Sequence, residues 1–253
     1  MAVDEAVLEH VQAGTCPPTL RLFAWLPACL SLGQAQPFSD VDVTRLEERG
    51  WDVVRRLTGG RAILHTDELT YSVIANATEP RLTGSVLESY NRLARALLAA
   101  VKTLGLAVVM TEHKQETAKE TNPVCFEVPS TYEITANSKK LIGSAQARRK
   151  AGVLQHGSLP LEGDLSRICQ ALAFPDESAR RSAADRLLLR ATTVESALVH
   201  KVDWQTAAQS FIKGFESALD LHLDPGELTD PESMRTDELV KEKYGHLSWT
   251  RRI

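Results

Sequence analysis

Segments of strand type lie almost wholly before position 162 of this 253-residue chain, and the remainder reads as one helix after another. This segregation constrains the fold most, because runs of strands followed by runs of helices give an α+β arrangement rather than a doubly wound parallel sheet. The regular strand–helix alternation of a Rossmann sheet is missing. So are G-x-G-x-x-G and Walker sequences, which disfavours an ordinary nucleotide-binding fold. The expectation is an α+β protein with one domain over 1–253 and a helical C-terminal part from about 162.

Val3, Val7, Leu8 and Val11 recur at helical spacing up to Gly14 and predict a short first helix. Leu20 to Trp25 alternates like a strand, with Cys29 to Gly33 as its expected partner across a turn at Pro27. Ser39 reads as the N-cap of a helix through Val43 and Leu46 that stops at Gly50. Strands are expected over 51–57, 62–65 and 69–75, the first two joined by Thr58-Gly59-Gly60. The stripe Val86, Tyr90, Leu93, Leu97 and Val101 predicts a helix over 85–104, ended by Gly105. A buried strand follows over 106–110, then a polar stretch, 111–122, that reads as a loop. Strands at 132–135 and 140–142 flank the turn-prone pair Asn137-Ser138, and 153–161 closes the strand-rich part. Helices are expected over 165–173, 176–188, 193–201 and 203–220, the last capped by Asp203, with a strand left open only in the final few residues.

Lys plus Arg is 29 and Asp plus Glu is 33, a formal net charge of −4, which argues against a mainly electrostatic grip on nucleic acid. The longest apolar runs fall far short of the roughly 18 residues a bilayer span requires, so no membrane segment is expected. The acidic start, Met1-Ala2-Val3-Asp4-Glu5, lacks the features of a secretory signal, and a cytoplasmic location is the default expectation. The cysteines stand at 16, 29, 125 and 169 with no C-x-x-C pair, so neither a zinc site nor a disulfide framework is expected. Each is a buried small hydrophobe or a reactive thiol.

Three clusters stand out. In Arg55-Arg56-Leu57-Thr58-Gly59-Gly60, followed by His65, paired arginines beside a glycine pair suit an anionic or carbonyl-bearing ligand, and equally a glycine hairpin with solvated arginines. In Asn137-Ser138-Lys139-Lys140-Leu141-Ile142-Gly143-Ser144, simple alternation turns the two lysines to opposite faces, so that one can face a pocket; a solvated hairpin is the plain alternative. Ten residues on stands Leu154-Gln155-His156-Gly157-Ser158. In Asn122-Pro123-Val124-Cys125-Phe126-Glu127-Val128-Pro129, Cys125 is the one thiol with a loop context, whereas Cys169 sits in an apolar helical pattern.

These motifs, taken in order, resemble the lipoate-protein ligase and octanoyltransferase family: R-R-x-x-G-G-x-x-x-x-H at 55–65, E-L-T-Y-S-V at 68–73, K-K-L-I-G-S-A-Q at 139–146 and L-Q-H-G-S at 154–158, over about residues 1–222. The resemblance implies the biotin/lipoate protein ligase fold, a mixed β-sheet flanked by helices, with an acyl chain held near the Gly-Gly loop and the lysine strand. P-V-C-F-E-V-P-S-T-Y-E at 123–133 is similar to the cysteine-dependent octanoyltransferase branch of Gram-positive type. That likeness implies transfer of octanoyl from acyl carrier protein to a lysine of the glycine cleavage H protein or another lipoyl domain. It puts Cys125 on the acyl-thioester nucleophile and Lys140 on the lysine that lowers the thiol pKa. It also puts Arg56, Gly59, Gly60, His65, Gly143, Ser144 and His156 in the substrate pocket. Thr66 stands where the family has Asp, leaving Asp67 as the possible substitute, and Ser138 stands where Gly is usual.

The implied chemistry needs no metal, nucleotide or other cofactor. A neighbouring ammonium favours the thiolate that thioester exchange requires, and amides near Gly143 or the Gly59-Gly60 turn are candidate oxyanion donors. The implied partners are acidic, so Arg55, Arg61, Arg148, Arg149 and Lys150 are candidates for steering them, or plain surface charges. The alternatives are an ATP-dependent lipoate ligase, an amidotransferase taking octanoyl from the H protein, and a non-catalytic subunit that binds a lipoyl domain.

Overall fold

The computed structural model describes residues 1–112, 124 and 132–253. Of the polar stretch at 111–122, all but Thr111 and Glu112 lies outside the described residues, and so does Cys125 with its neighbours other than Val124.

The first helix is α1 (Ala2–Ala13), ended by Gly14 in the left-handed conformation. Next come β1 (Thr19–Phe23), β2 (Cys29–Leu32), α2 (Val43–Glu48), β3 (Asp52–Arg55), β4 (Ile63–His65) and β5 (Glu68–Asn76). Then follow α3 (Val86–Thr103), β6 (Val108–Glu112), β7 (Tyr132–Ala136), β8 (Lys139–Arg149) and β9 (Gly152–Pro160). The C-terminal part holds α4 (Glu177–Arg190), α5 (Val194–Leu198), α6 (Trp204–Leu219), α7 (Asp230–Leu239) and α8 (Leu247–Thr250).

Among the described residues the strands form two sheets, a six-stranded one in the order β1-β5-β9-β8-β7-β6 and a three-stranded one in the order β3-β2-β4. The ladders of the large sheet are antiparallel. In the small sheet β2 pairs parallel with β3 and antiparallel with β4, so the fold is α+β with mixed pairing. Alternation along β5 explains how the large sheet is used. Leu69, Tyr71 and Ala75 enter the main core with Leu93 and Leu97 of α3 and Phe211 and Phe215 of α6. Glu68, Thr70 and Ser72 are buried on the opposite face. On that face α1 packs Val7, Leu8 and Val11 against Ile74 and Leu154. The small sheet sends Leu30 and Leu32 into a second core with Ile168, Leu172 and Leu187, which leaves Ser31 turned the other way.

Helix boundaries follow local chemistry. Ser85 and Glu88 form a capping box at the start of α3, and the Asp203 side chain accepts from Thr206 N at the start of α6. Asn137 and Ser138 join β7 to β8 at φ of 50° and 62°, a turn with both central residues left-handed.

Several local expectations are corrected. β2 is not the partner of β1; β1 pairs with β5 from Thr19↔Ile74 to Phe23↔Thr70, and β2 is the centre of the small sheet. The segments flanking Gly59-Gly60 form no hairpin, because β2 lies between them. The helix expected from Ser39 is a short 3-10 turn at Phe38–Asp40 followed by α2, whose cap is Asp42 accepting from Arg45 N. Leu165–Gln170 is a 3-10 helix, and Arg180 Nη1 donates to the Leu172 carbonyl just beyond it at 2.6 Å. The last residues hold helices and no strand. The capping box of Thr229 and Glu232 with Pro231 opens α7, and the chain returns through α8 to the small sheet.

Arg55 explains that return. Its side chain is fully buried and donates to the carbonyls of Gly33 (2.9 Å), Gln36 (2.6 Å) and Thr250 (3.0 Å from Nε, 2.7 Å from Nη2). It is an internal clamp between the small sheet and the C-terminal helices, which removes it from the candidates for steering a partner. Replacing Arg55 by Met takes this donor from the buried carbonyls of Gln36 and Thr250, while Gly33 O keeps Gln36 N, and should cost about 3 kcal/mol. In a chain of this length that is a fall in Tm of roughly 6–12 °C, measurable by thermal melts followed by circular dichroism.

Candidate active site

The buried polar face of the large sheet and the back of the small sheet enclose a cavity with about 420 Å³ of empty space, its mouth included, within the roughly 300–1,000 Å³ range of small-molecule sites. Arg56, Gly60, His65, Gly143, Ser144 and His156 all line it. Thr70 and Ser158, inside the quoted motifs but not among the expected pocket residues, complete its wall with Trp25 and Ser31, which lie outside them. Six of the seven pocket residues expected from sequence therefore converge. Gly59 is not on the wall; its carbonyl accepts from Arg56 Nη2 at 2.8 Å.

Arg56 builds the loop rather than presenting charge to solvent. It is 3% exposed and donates to Ser31 O (2.9 Å), Ser31 Oγ (3.2 Å), Thr58 Oγ1 (3.1 Å), Gly59 O and Arg61 O (both 2.8 Å). Thr58 Oγ1 lies 2.6 Å from His156 Nε2, so the small-sheet loop is tied to β9. The glycines make the approach possible. A Cβ on Gly33 would stand 1.9 Å from Gly60 O, and one on Gly157 would stand 2.3 Å from Gly143 O.

His65 is held between a carboxylate and a hydroxyl. Its Nδ1 is 2.6 Å from Glu68 Oε1, its Nε2 is 2.8 Å from Ser31 Oγ, and Trp25 stacks on the ring at 4.3 Å between centroids. Glu68 Oε1 also accepts from Thr70 Oγ1 and, at 2.9 Å, from Ser158 Oγ. The carboxylate that serves His65 is thus Glu68. Asp67 is exposed and paired with Arg167, so it is no substitute for the family's aspartate. The alternation Glu68, Thr70, Ser72 against Leu69, Tyr71, Val73 was the available signal for Glu68 and Thr70. Trp25 and Ser31 gave none.

His156 Nδ1 lies 3.5 Å from the Asp4 carboxylate, and Asp4 also pairs with Arg21 at 2.9 Å. Burial drives the His156 pKa down against the opposing pull of Asp4, so its neutral form is favoured. Burial pushes the Asp4 carboxyl up, but His156, the N-terminal amine and Arg21 more than offset this and hold it well below the usual range.

Lys140 reaches the pocket side of the large sheet through a β-bulge. Ile134 pairs with Ile142 but Thr135 pairs with Lys140, so Leu141 is an extra residue on β8. Leu141 and Ile142 both enter the main core, and Lys140 is turned to the face that carries Gly143 and Ala145. It is 5% exposed, with Nζ 2.8 Å from Glu133 Oε1. Lys139 Nζ instead donates to Leu188 O at 2.6 Å. Lys140 is not on the wall of the cavity above. It bridges Ala191, which shares a buried cluster with Ala62, Leu187 and Val124, the residue before Cys125. Val124 and Leu187 line a second cavity, separated from the first by Ile63, which lines both.

Among the described cysteines, burial pushes the Cys29 thiol up to about 12 and the Cys16 thiol above its usual value, and Cys169 is fully buried. Of the expected steering charges, Arg148 is spent on Leu82 O and Ser89 Oγ, both at 2.9 Å. Among the described residues no group of three or more His, Cys, Asp or Glu is placed to hold a metal ion. No helix there is long and apolar enough to cross a membrane.

A mixed two-sheet α+β fold with a polar-walled slot between a Gly-Gly loop and a lysine-bearing strand defines a biotin/lipoate ligase type of protein. Solved structures share it: the bipartite lipoate protein ligase of Thermoplasma acidophilum superposes with a TM-score of 0.81 at 22% identity, covering 99% of this chain and 89% of the other. A lipoate-protein ligase A bound with ATP gives 0.79 at 24% identity, covering 99% and 92%. The family model of the lipoyl protein ligase A/B catalytic domain matches residues 1–216, and the chain belongs to that family. Octanoyltransferase LipM of Brevibacillus brevis is 38% identical over 100% of this chain and 94% of its own length. Octanoyltransferase LipM of Moorella thermoacetica is 39% identical over 100% and 93%. The chain is an enzyme of the acyltransferase class.

The buried histidine sets an acid limit on the fold. Because the His156 pKa is lower in the folded state than its ordinary 6.5, the unfolded chain binds the proton more readily, and stability is lost as pH falls below about 6.5. Asp4, also depressed, adds its loss below about 4. Urea midpoints measured from pH 8 to 5 should decline below about 6.5, and more shallowly in His156→Gln than in the parent.

Proposed function

We propose that this enzyme moves an octanoyl group from acyl carrier protein to a lysine of a lipoyl domain or glycine cleavage H protein, through a thioester on Cys125. The observation that carries the reading is the end-to-end likeness to octanoyltransferases at 38 and 39% identity. The position of Lys140 supports it: a bulge turns this lysine to the pocket side, where Ala191 beside it packs in one cluster with Val124. The other three thiols are poor candidates, since burial raises two and encloses the third. The Thermoplasma ligase is described together with its E2 lipoyl domain, which supports a lipoyl domain as acceptor here.

In the first half-reaction the Cys125 thiolate attacks the carbonyl carbon of the octanoyl thioester. The carrier's thiolate leaves and takes up a proton, for which the Lys140 ammonium is the assigned donor. That ammonium also favours the attacking thiolate by its charge. In the second half-reaction the acceptor lysine's amine attacks the enzyme thioester, an amide forms, and Cys125 is released. No nucleotide enters either step.

Incubation with octanoyl-acyl carrier protein in the absence of ATP should add one octanoyl group by intact mass. The adduct should be absent from Cys125→Ala and present in Cys169→Ala. Lys140→Met should slow its formation by roughly 10²-fold. Lipoyl-domain modification that requires ATP and free lipoate would instead assign the chain as a ligase.

A further inference from the structure

The second half-reaction of that scheme has a proton to dispose of. A protein lysine is an ammonium at neutral pH, with a pKa near 10.4, and only the free amine attacks a thioester. The wall of the slot carries a group built to accept that proton. Glu68 Oε1, His65 Nδ1, His65 Nε2 and Ser31 Oγ form a continuous chain with links of 2.6 Å and 2.8 Å. Glu68 is 6% exposed, His65 4% and Ser31 0%, yet both His65 and Ser31 line the cavity. With Glu68 taking the hydrogen on Nδ1, the tautomer is fixed and Nε2 is left as an acceptor aimed at the Ser31 hydroxyl. Thr70 Oγ1 and Ser158 Oγ hold the carboxylate from two further positions, and stacked Trp25, itself anchored by Nε1 to Thr70 Oγ1 at 2.9 Å, prevents the ring from turning. The other histidine on the wall lacks this arrangement. His156 reaches Thr58, which is not part of the wall, and its Nδ1 makes no hydrogen bond.

We propose that Glu68, His65 and Ser31 form a proton relay that deprotonates the acceptor lysine before it attacks the acyl-enzyme. The inference rests on the thioester reading above. Balance is simple. The lysine ammonium gives one proton to Ser31 Oγ as the Ser31 hydroxyl hydrogen passes to His65 Nε2, leaving a neutral amine and an imidazolium paired with Glu68. The amine nitrogen bonds to the acyl carbon, the carbon–sulfur bond breaks, and the second nitrogen-bound proton leaves with the thiolate as Cys125 thiol. The imidazolium then returns its proton to solvent. The charged and titratable groups around His65 are Glu68 on its own segment, Cys29 opposite it on β2, Arg56 reaching Ser31 Oγ from the loop after β3, Met1 with the terminal amine on the cavity wall, and His156 on β9 with Asp4 behind it. Arg56 disfavours the imidazolium as well as the ammonium, so the Glu68 carboxylate is the group that offsets the transferred charge.

The test is to load the enzyme with octanoyl from octanoyl-acyl carrier protein, mix it rapidly with a lipoyl domain, and follow discharge of the adduct by quenched intact mass. In Glu68→Gln the acyl-enzyme should still form but discharge about 100-fold more slowly at pH 7. The rate should then recover about tenfold per pH unit toward the lysine's own range, where the parent has already levelled off. Ser31→Ala should behave alike, and it keeps the test available if Glu68→Gln does not fold. Hydroxylamine, an amine already neutral at pH 7, should discharge parent and variants at equal rates. Variants that discharge to the lipoyl domain at the parent's rate overturn the relay, as do variants that lose discharge to lysine and hydroxylamine equally. Absence of any adduct on Cys125 in the parent overturns the thioester reading itself, and the relay with it.

Discussion

The site depends on one buried guanidinium. Arg56 gathers the Ser31 carbonyl and hydroxyl, the Thr58 hydroxyl and the carbonyls of Gly59 and Arg61 around itself. A glycine loop has no side chains with which to hold its own shape, and its carbonyls would otherwise lie partly buried without donors. Arg56 supplies both the donors and the shape. Because Thr58 goes on to His156, the same hub fixes the distance between the small sheet and the large one. The slot is the space left over once that distance is set, and the bare edges of Gly33 and Gly60 allow it to be small.

The wall of the slot is an unusual use of a sheet face. Glu68, Thr70, Ser72, His156 and Ser158 are all buried, and most pair with one another or with the small sheet instead of with water. Polar groups in such a place are costly unless satisfied, and once satisfied they leave a rigid surface of donors and acceptors. Ser72 Oγ makes no hydrogen bond, and two titratable atoms likewise stand apart, Asp4 Oδ2 and His156 Nδ1, which face each other at ion-pair distance without a hydrogen bond. They mark the corner of the site most sensitive to protonation.

Much of the molecule was legible in the residues. The stripe from Val86 to Val101 with its Ser85 cap, the Asp203 cap, the long strands around 69–75 and 153–161, and the turn at Asn137-Ser138 are fixed by local chemistry and by periodicity. The pocket residues were legible as motifs, and they converge because strands far apart in sequence share one sheet. What escaped was non-local. Nothing near Pro27 says that β1 and β2 belong to different sheets, since each is chosen by partners more than 30 residues away in β5 and about 20–35 away in β3 and β4. Arg55 looks like a solvated surface charge until Thr250, 195 residues on, brings its carbonyl. Glu68 was visible only as half of an alternating pattern, and Ser31, on the other side of the His65 ring, lies 37 positions earlier with no motif of its own.

The extra residue at Leu141 carries a consequence of its own. A β-strand assigns its side chains by parity, and one inserted residue reverses the assignment on one side of the insertion only. The lysine at 140 and the glycine at 143 lie on one face of the sheet because an odd number of steps separates them and Leu141 absorbs one. Length and bulge must therefore change together. A chain of the same length whose ladder ran regularly through Leu141 would keep a sheet of ordinary appearance while its ammonium pointed into the greasy interior. A chain without Leu141 would need a regular ladder to keep both residues on one face.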